Sequence, residues 1–152
     1  MKDQFKANVI IKCLVVSLSI SCCTIATAQT VQDGDSVIRG DGVRLRLYGI
    51  DAPERDQPYG KEARKTLQQY MPMVAKMKEY EEDRYGRLVV ELFTEDNKSI
   101  NAAMICSGGA WWYEYYAPDR PQFKQCQEDA QKNKRGIWAD DEPVAPWEWR
   151  RR

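Results

Sequence analysis

The stretch Arg46–Glu54 brings a guanidinium and two carboxylates together within nine residues. It begins with the alternation of apolar and cationic residues that is typical of a half-buried strand, and it ends at Pro53. Arg46 offers forked donors to phosphate oxygens, Asp51 is a ligand for hard cations, and Glu54 is a carboxylate that can activate water. Together these residue types suit phosphodiester hydrolysis, although each one alone is more typical of a solvated surface.

Two charged residues elsewhere in the chain extend this set. Asp35 follows a glycine near the preceding strand, and Arg87 follows the turn Tyr85-Gly86. Because Arg46 and Asp51 are an odd number of residues apart, a regular strand would place them on opposite faces. We therefore expect Gly49 to interrupt the strand and bring both residues to one face.

Several other chemistries are excluded or unsupported by the sequence. The chain contains no histidine, which excludes histidine-based catalysis. It has neither a Cys/His zinc spacing nor a glycine-rich phosphate loop. With 23 basic and 23 acidic residues, global charge does not indicate a nucleic-acid-binding protein, so any affinity for anions must be local or supplied by a bound cation.

The segments that must position these residues are short strands followed by helices, a pattern that predicts an α+β fold. A turn at Gly40-Asp41-Gly42 predicts a hairpin, and Asn101 is predicted to cap a helix that runs to Ser107. A small closed or partly closed barrel with helices packed on it suits the strand count. The predicted strands are 31–39, interrupted by Asp33-Gly34-Asp35, and then 43–50, 74–82 and 88–94. The predicted helices are 61–70, 101–107 and 121–134.

Residues 1–28 have the features of a cleaved export signal. A basic start precedes a short apolar run, and Ala26-Thr27-Ala28 matches a cleavage site. A membrane anchor is the alternative, but the apolar run is shorter than a membrane span requires; a lipoprotein signal at Cys22 or Cys23 is a further alternative. Residues 29–152 would then form one exported domain, periplasmic or secreted, with a Trp- and Arg-rich tail from about residue 139.

Two cysteines, Cys106 and Cys126, lie outside the predicted signal. An even number of cysteines in an exported protein suggests a disulfide bond. Two buried thiols remain the alternative interpretation.

The order of these motifs resembles the staphylococcal nuclease (thermonuclease) family over nearly all of residues 29–152. The tail, Pro146-Trp147-Glu148-Trp149-Arg150, is similar to that of bacterial exported members. The motifs that carry the resemblance are Val31-x-Asp33-Gly34-Asp35-Ser36-Val37, Arg44–Glu54, Asp83-Arg84-Tyr85-Gly86-Arg87-Leu88, Asn101 at a helix start, and Gly136-Ile137-Trp138.

This resemblance implies an OB-fold, a five-stranded β-barrel with three packed α-helices. It also implies calcium-dependent cleavage of DNA and RNA to products with 3′-phosphate and 5′-hydroxyl ends. Asp35 and Asp51 would hold the calcium ion together with the backbone carbonyl of Ala52, where the family often has threonine. The resemblance further implies a monomer that has no membrane association after signal cleavage.

The catalytic roles also follow from the resemblance. Glu54 would act as the general base or position the attacking water, and Arg46 and Arg87 would stabilise negative charge in the transition state. Arg84 would add a phosphate contact, and Tyr85 would contact the nucleotide.

Tyr116 would contribute a second aromatic contact to the nucleotide. A family tyrosine near this position corresponds to Glu114 here, which puts one contact to the base in doubt. The alternative function is that of a non-catalytic OB-fold module that binds nucleic acid or protein. Such modules lack members of the set Asp35, Asp51, Glu54, Arg46 and Arg87, all of which are present in this sequence.

Overall fold

Five strands form the main sheet of the computed structural model, which describes residues 29–152. They are β1 (Thr30–Val31), β2 (Ser36–Ile38), β3 (Arg44–Leu47), β5 (Lys76–Glu82) and β6 (Leu88–Phe93). A separate two-stranded sheet pairs β4 (Ile50–Asp51) with β7 (Trp111–Trp112). The predicted export signal and its cleavage site lie outside the described residues.

The strand β3 occupies the centre of the main sheet, whose order is β1-β2-β3-β6-β5. It pairs with β2 as the predicted antiparallel hairpin, with Ser36 opposite Arg46, and it pairs with β6 in parallel, with Arg46 opposite Val89. The α+β class and the five strands of the main sheet are confirmed. Within residues 29–152 the hydrogen-bonded order ends at β1 and β5 and does not close into a barrel.

The three predicted helices are present as α1 (Gly60–Tyr70), α2 (Ile100–Cys106) and α3 (Pro121–Lys132). A fourth, short helix, α4 (Pro146–Trp149), lies in the tail, and single 3₁₀ turns occupy Met71–Met73 and Gly136–Ala139. None of the described helices is both long and apolar enough to cross a membrane. The helices and the main sheet enclose the larger of two apolar clusters, whose fully buried side chains include Val37, Leu45, Leu47, Leu67, Val90, Leu92, Ile100, Met104, Ile105 and Phe123. Ala130, Ile137 and Trp138 form a second, smaller cluster.

The helix α2 is capped by Ser99 and not by Asn101, so the predicted cap was wrong. The Ser99 hydroxyl accepts a hydrogen bond from the Ala102 N–H at 3.1 Å. Asn101 is fully buried; its Oδ1 accepts from the Leu92 N–H at 3.1 Å, and its Nδ2 donates to the Tyr48 carbonyl at 3.0 Å. Its amide therefore ties α2 to β6 and to the turn after β3.

A buried acid, Glu91 on β6, is satisfied by three partners. It accepts hydrogen bonds from the Ser99 hydroxyl at 2.7 Å and the Tyr80 hydroxyl at 2.9 Å, and it forms an ion pair with Arg120. Burial raises the pKa of Glu91, but the hydrogen bonds from Arg120, Ser99 and Tyr80 together outweigh it, so the pKa lies below its ordinary value. The ionised form thus stabilises the contact between β5, β6 and the start of α3.

Cys106, at the end of α2, is joined to Cys126 of α3 by a disulfide bond. The bond encloses the segment that carries β7 and the aromatic residues after it. This crosslink fixes the two helices next to each other on the side of β7.

Candidate active site

An open cleft of about 620 Å³ collects the residues selected from the sequence. It lies between the hairpin β2–β3, the loop after β4 and the turn between β5 and β6. The cleft is lined by all of the predicted site residues, Asp35, Arg46, Asp51, Ala52, Glu54, Arg84, Tyr85, Arg87 and Tyr116, and also by Asp33, Tyr113 and Arg150.

The strand is interrupted at Gly49, as predicted. The strand β3 ends at Leu47, Gly49 adopts a φ of 68°, and β4 begins at Ile50. A Cβ at Gly49 would lie 2.7 Å from the Ala117 Cβ and 2.9 Å from an edge carbon of Phe123. Both the left-handed backbone and the close packing therefore require glycine at this position.

Arg46 bridges two carboxylates that come from different strands. Its Nη1 lies 3.2 Å from Asp35 Oδ2, and its Nη2 lies 2.9 Å from Asp51 Oδ1. The Nη1 atom also donates to the Leu47 and Ile50 carbonyls at 3.0 and 2.8 Å, so the bend at Gly49 holds the guanidinium in place. One cation thus pairs with two carboxylates in the cleft and offsets one of their two negative charges.

Asp35 reaches this position because the end of the β2–β3 hairpin is fixed by the backbone. The Leu47 N–H donates to the Asp35 carbonyl at 2.8 Å. The Asp35 side chain then accepts from the Ala52 N–H at 2.7 Å and from the Ser36 hydroxyl at 3.0 Å. These contacts link Asp35 directly to the loop that follows Asp51.

Several carboxylates lie close together in the cleft, and the pKa values of two of them are raised. Asp51 is 1% exposed, and burial raises its pKa, with the charge of Asp35 adding to the effect while Arg150 and Arg46 oppose it. Burial and the neighbouring Asp35 also raise the pKa of Asp33 to about 6. Close, partly buried carboxylates of this kind favour the binding of a cation.

Glu54 lies in the loop that follows β4. Its N–H donates to the Gln57 side chain at 3.1 Å, which fixes the loop backbone. Its Oε1 lies 2.7 Å from Arg150 Nη1. The carboxylate faces the same cleft as Asp51 and is still 36% exposed, so water has access to it.

Arg87 lies in the turn between β5 and β6. Its Nε pairs with Asp83 Oδ2 at 2.7 Å, and its guanidinium lies 5.4 Å from the centre of the Tyr85 ring. The ion pair with Asp83 uses only Nε, so the two terminal nitrogens retain their donors for a phosphate. Arg84 donates to the Tyr85 hydroxyl at 2.7 Å, and the turn therefore presents two guanidiniums beside one aromatic ring.

The aromatic wall of the cleft is formed by Tyr113 and Tyr116, whose ring centres lie 4.9 Å apart in an edge-to-face arrangement. Tyr113 also stacks on Trp147 of α4. Glu114, between the two tyrosines, is exposed and does not line the cleft. The sequence interpretation named Tyr116 but missed Tyr113.

Arg150 is the most consequential residue that sequence reasoning missed. Its Nη2 lies 2.8 Å from Asp51 Oδ2, and hydrogen bonds to Asp51 and Glu54 raise its pKa above the ordinary arginine value. Its sequence separation from Asp51 is 99 residues, so no local spacing connects the two. Pro146, which is favourable at the first position of a helix, was the one signal in the sequence for α4.

Comparison with known proteins identifies the family. A family model described as staphylococcal nuclease homologue matches residues 44–140, and this chain belongs to that family. The matched range contains Arg46, Asp51, Glu54 and Arg87. Asp35 precedes this range, and Arg150 follows it.

Curated relatives come from bacteria and plants. A protein of Escherichia coli O157:H7, described as an uncharacterized endonuclease, is 37% identical over 126 residues, which cover 80% of this chain and 82% of that protein. An uncharacterized endonuclease of Haemophilus influenzae is 36% identical over 130 residues, covering 80% of this chain and 70% of that protein. The probable staphylococcal-like nuclease CAN1 of Oryza sativa subsp. japonica is 42% identical over 109 residues, 71% of this chain and 32% of that protein.

Proposed function

We propose that this protein is a calcium-dependent endonuclease that hydrolyses phosphodiester bonds in DNA and RNA. Family membership and the names of the relatives support a nuclease hydrolase. The observation that carries the proposal is the bridge from Arg46 to Asp35 and Asp51, in a cleft that also contains Glu54 and Arg87. Products with 3′-phosphate and 5′-hydroxyl ends are part of the proposal.

The residues present fit a calcium ion. Asp35 and Asp51 share one guanidinium, so their carboxylates lie close together, and all the donors concerned are the hard oxygens that calcium prefers. No group of three acidic, thiol or imidazole side chains suited to a metal occurs within residues 29–152, so the main chain must complete the set. The Ala52 carbonyl would do so, and a bound calcium ion would act as a Lewis acid on a phosphoryl oxygen.

Glu54 is the residue proposed to handle the proton of the attacking water. Its side chain is partly exposed in the cleft and lies on the loop that follows Asp51. As a carboxylate it can accept a hydrogen bond from water and then the proton as the water oxygen attacks phosphorus.

Arg46 and Arg87 are proposed to stabilise the additional negative charge on the phosphoryl oxygens. Arg46 is held rigidly by carbonyl and carboxylate partners, so its donors are organised before the reaction begins. Arg87 lines the same cleft, in the turn that also carries Arg84 and Tyr85. Arg84 would bind a neighbouring phosphate, and Tyr85 and Tyr116 would stack against bases without selecting their sequence.

A digestion assay tests this proposal directly. Supercoiled plasmid and a defined RNA would be incubated with the protein in calcium and in chelator, alongside Glu54→Gln. We expect cleavage of both substrates in calcium only, and products that need phosphatase before 3′-extension. The rate for Glu54→Gln should be lower by at least about 100-fold. Glu62→Gln, an exposed acid on α1, is the matched control and should retain wild-type cleavage.

Two results of this assay would contradict the proposal. Cleavage in chelator would overturn the calcium mechanism. Binding of nucleic acid without cleavage would instead indicate the non-catalytic module.

We also propose that the protein is exported and acts in the periplasm or outside the cell. The Cys106–Cys126 disulfide supports an oxidising compartment. Amino-terminal sequencing of the mature protein tests this, since cleavage after Ala28 would leave Gln29 as the first residue. An intact amino terminus at Met1 would contradict the proposed cleavage.

A further inference from the structure

The C-terminal segment, residues 144–152, contacts the candidate active site through Arg150. Its guanidinium spans Asp51 and Glu54: Nη2 lies 2.8 Å from Asp51 Oδ2, and Nη1 lies 2.7 Å from Glu54 Oε1 and 3.3 Å from Asp51 Oδ1. Asp51 is a proposed calcium ligand, and Glu54 is the proposed base. Arg150 therefore contacts two of the residues on which the proposed reaction depends.

Contacts elsewhere along the segment hold Arg150 in this position. Gln57 donates to the Val144 carbonyl at 2.7 Å, and Ala145 is buried. The Trp147 ring stacks on Tyr113, with centres 5.0 Å apart and planes 17° apart. The helix α4 is thus attached to the loop after β4 and to the aromatic wall, and Arg150 follows immediately after α4.

The hydrogen bonds of Asp51 leave neither of its oxygens without a cationic partner. Oδ1 accepts from Arg46 and Arg150, and Oδ2 accepts from Arg150. A calcium ion bound to Asp51 must use at least one of these oxygens, and its charge repels a guanidinium at the same carboxylate. One of the two arginines must therefore move when calcium binds.

Arg150 is the arginine that can leave. Its side chain is 43% exposed, whereas that of Arg46 is 15% exposed and is also bonded to the Leu47 and Ile50 carbonyls. A partly exposed guanidinium that moves into water regains its hydration, while moving Arg46 would break its hydrogen bonds to two carbonyls. Releasing Arg150 from Asp51 therefore costs less free energy than releasing Arg46.

We propose that Arg150 competes with calcium for Asp51 and Glu54, so that the C-terminal segment sets the calcium affinity of the site. The inference rests on the proposed function, because it takes Asp51 to be a calcium ligand. Thermodynamic coupling is reciprocal, so calcium weakens the docking of the segment by the same factor by which Arg150 weakens calcium binding.

Calcium titration by calorimetry, without nucleic acid, tests the competition. We expect Arg150→Gln to bind calcium roughly fivefold more tightly than the wild type, the lower end of typical coupling between sites. Arg151→Gln removes the same charge from the next, exposed residue and should leave the affinity at the wild-type value. An affinity of Arg150→Gln equal to or weaker than that of the wild type would overturn the inference.

Hydrogen exchange of the wild-type protein supplies an independent measurement. The amides of Trp149 and Arg150, bonded to the Ala145 and Pro146 carbonyls, should exchange faster in saturating calcium, and unchanged or slower exchange would contradict the competition. The two proposals fail in different ways. Calcium binding by neither protein would overturn the calcium site together with this inference, whereas equal binding by both would overturn the inference alone.

Discussion

The Nη2 atom of Arg46 lies 2.9 Å from Oδ1 of Asp51, although a straight strand would place these two residues on opposite faces. The contact exists because β3 stops at Leu47 and the chain turns at Gly49 before β4 begins. The geometry of the candidate active site therefore depends on a glycine that takes no part in its chemistry. This dependence can be tested by changing the glycine alone.

Gly49→Ala should destabilise the fold and displace Asp51 from Arg46. Alanine at a φ of 68° is strained, and its Cβ would also overlap Ala117 and Phe123. Gly42→Ala is the matched control, because Gly42 has a φ of +88° and nothing within 4 Å of the added Cβ. Urea unfolding should show Gly49→Ala to be less stable than Gly42→Ala by about 1–3 kcal/mol. Equal stability of the two variants would contradict the close packing at Gly49.

Arg87→Ala should lower kcat by about 100-fold or more, since one transition-state donor is worth that much. Arg84→Ala, in the same turn, should act mainly through KM, because a contact to a neighbouring phosphate is made equally in the ground state. Steady-state kinetics on a short DNA substrate would separate the two effects. A near-normal kcat for Arg87→Ala would remove Arg87 from the proposed mechanism.

Glu91→Gln should change how the free energy of unfolding depends on pH. The pKa of Glu91 is below its ordinary value in the folded protein, so its ionised form contributes stability that is complete above the unfolded pKa and is lost as pH falls through the folded pKa. The variant should therefore lose about 3 kcal/mol at neutral pH, because Arg120 is left unpaired, and should show a shallower loss of stability below about pH 4.5.

Urea unfolding between pH 3 and 7 measures this dependence. Glu95→Gln, an exposed acid in the turn between β6 and α2, is the control and should follow the wild-type curve. Parallel curves for Glu91→Gln and the wild type would show that Glu91 does not contribute to acid unfolding.

Loss of the disulfide should reduce stability without removing the active site. Cys106 and Cys126 are separated by 20 residues, and a crosslink of that span contributes about 3 kcal/mol in the chain-entropy description. The double variant Cys106→Ser, Cys126→Ser should unfold at a lower urea concentration, with an unchanged dependence of cleavage on calcium. An unchanged urea midpoint would mean that the disulfide bond does not contribute to the free energy of unfolding.

The part of the site within Arg46–Glu54 was predictable because its residues are neighbours in the sequence. Alternation places Arg46 on a strand, Gly49 interrupts that strand, and the carboxylates of Asp51 and Glu54 follow within the same stretch. The strands and the three longer helices were also found, since their periodicity and breakers lie within short windows. The ends of β5, β6 and these helices differ by at most two residues from the predicted ones, whereas the strand predicted over 43–50 stops at Leu47 and β7 was not predicted.

Contacts between distant parts of the chain were not predictable from these patterns. The parallel pairing of β3 with β6 aligns Arg46 with Val89, which no hairpin rule indicates. Asn101 has the residue type of a cap, but its amide satisfies buried backbone groups of Leu92 and Tyr48 instead. Arg150 lies against Asp51 in a segment that is held by the stacking of Trp147 on Tyr113 and by the burial of Ala145.

The disulfide has a consequence for limited proteolysis. Tyr115 and Tyr116 are exposed in a turn between Cys106 and Cys126, so a protease has access to the backbone there. A cut at this turn would leave both fragments covalently joined, and the nicked molecule would migrate as one band until a reducing agent is added. Comparing gels run with and without reductant would therefore show whether the aromatic wall has been cut in a sample that still appears intact.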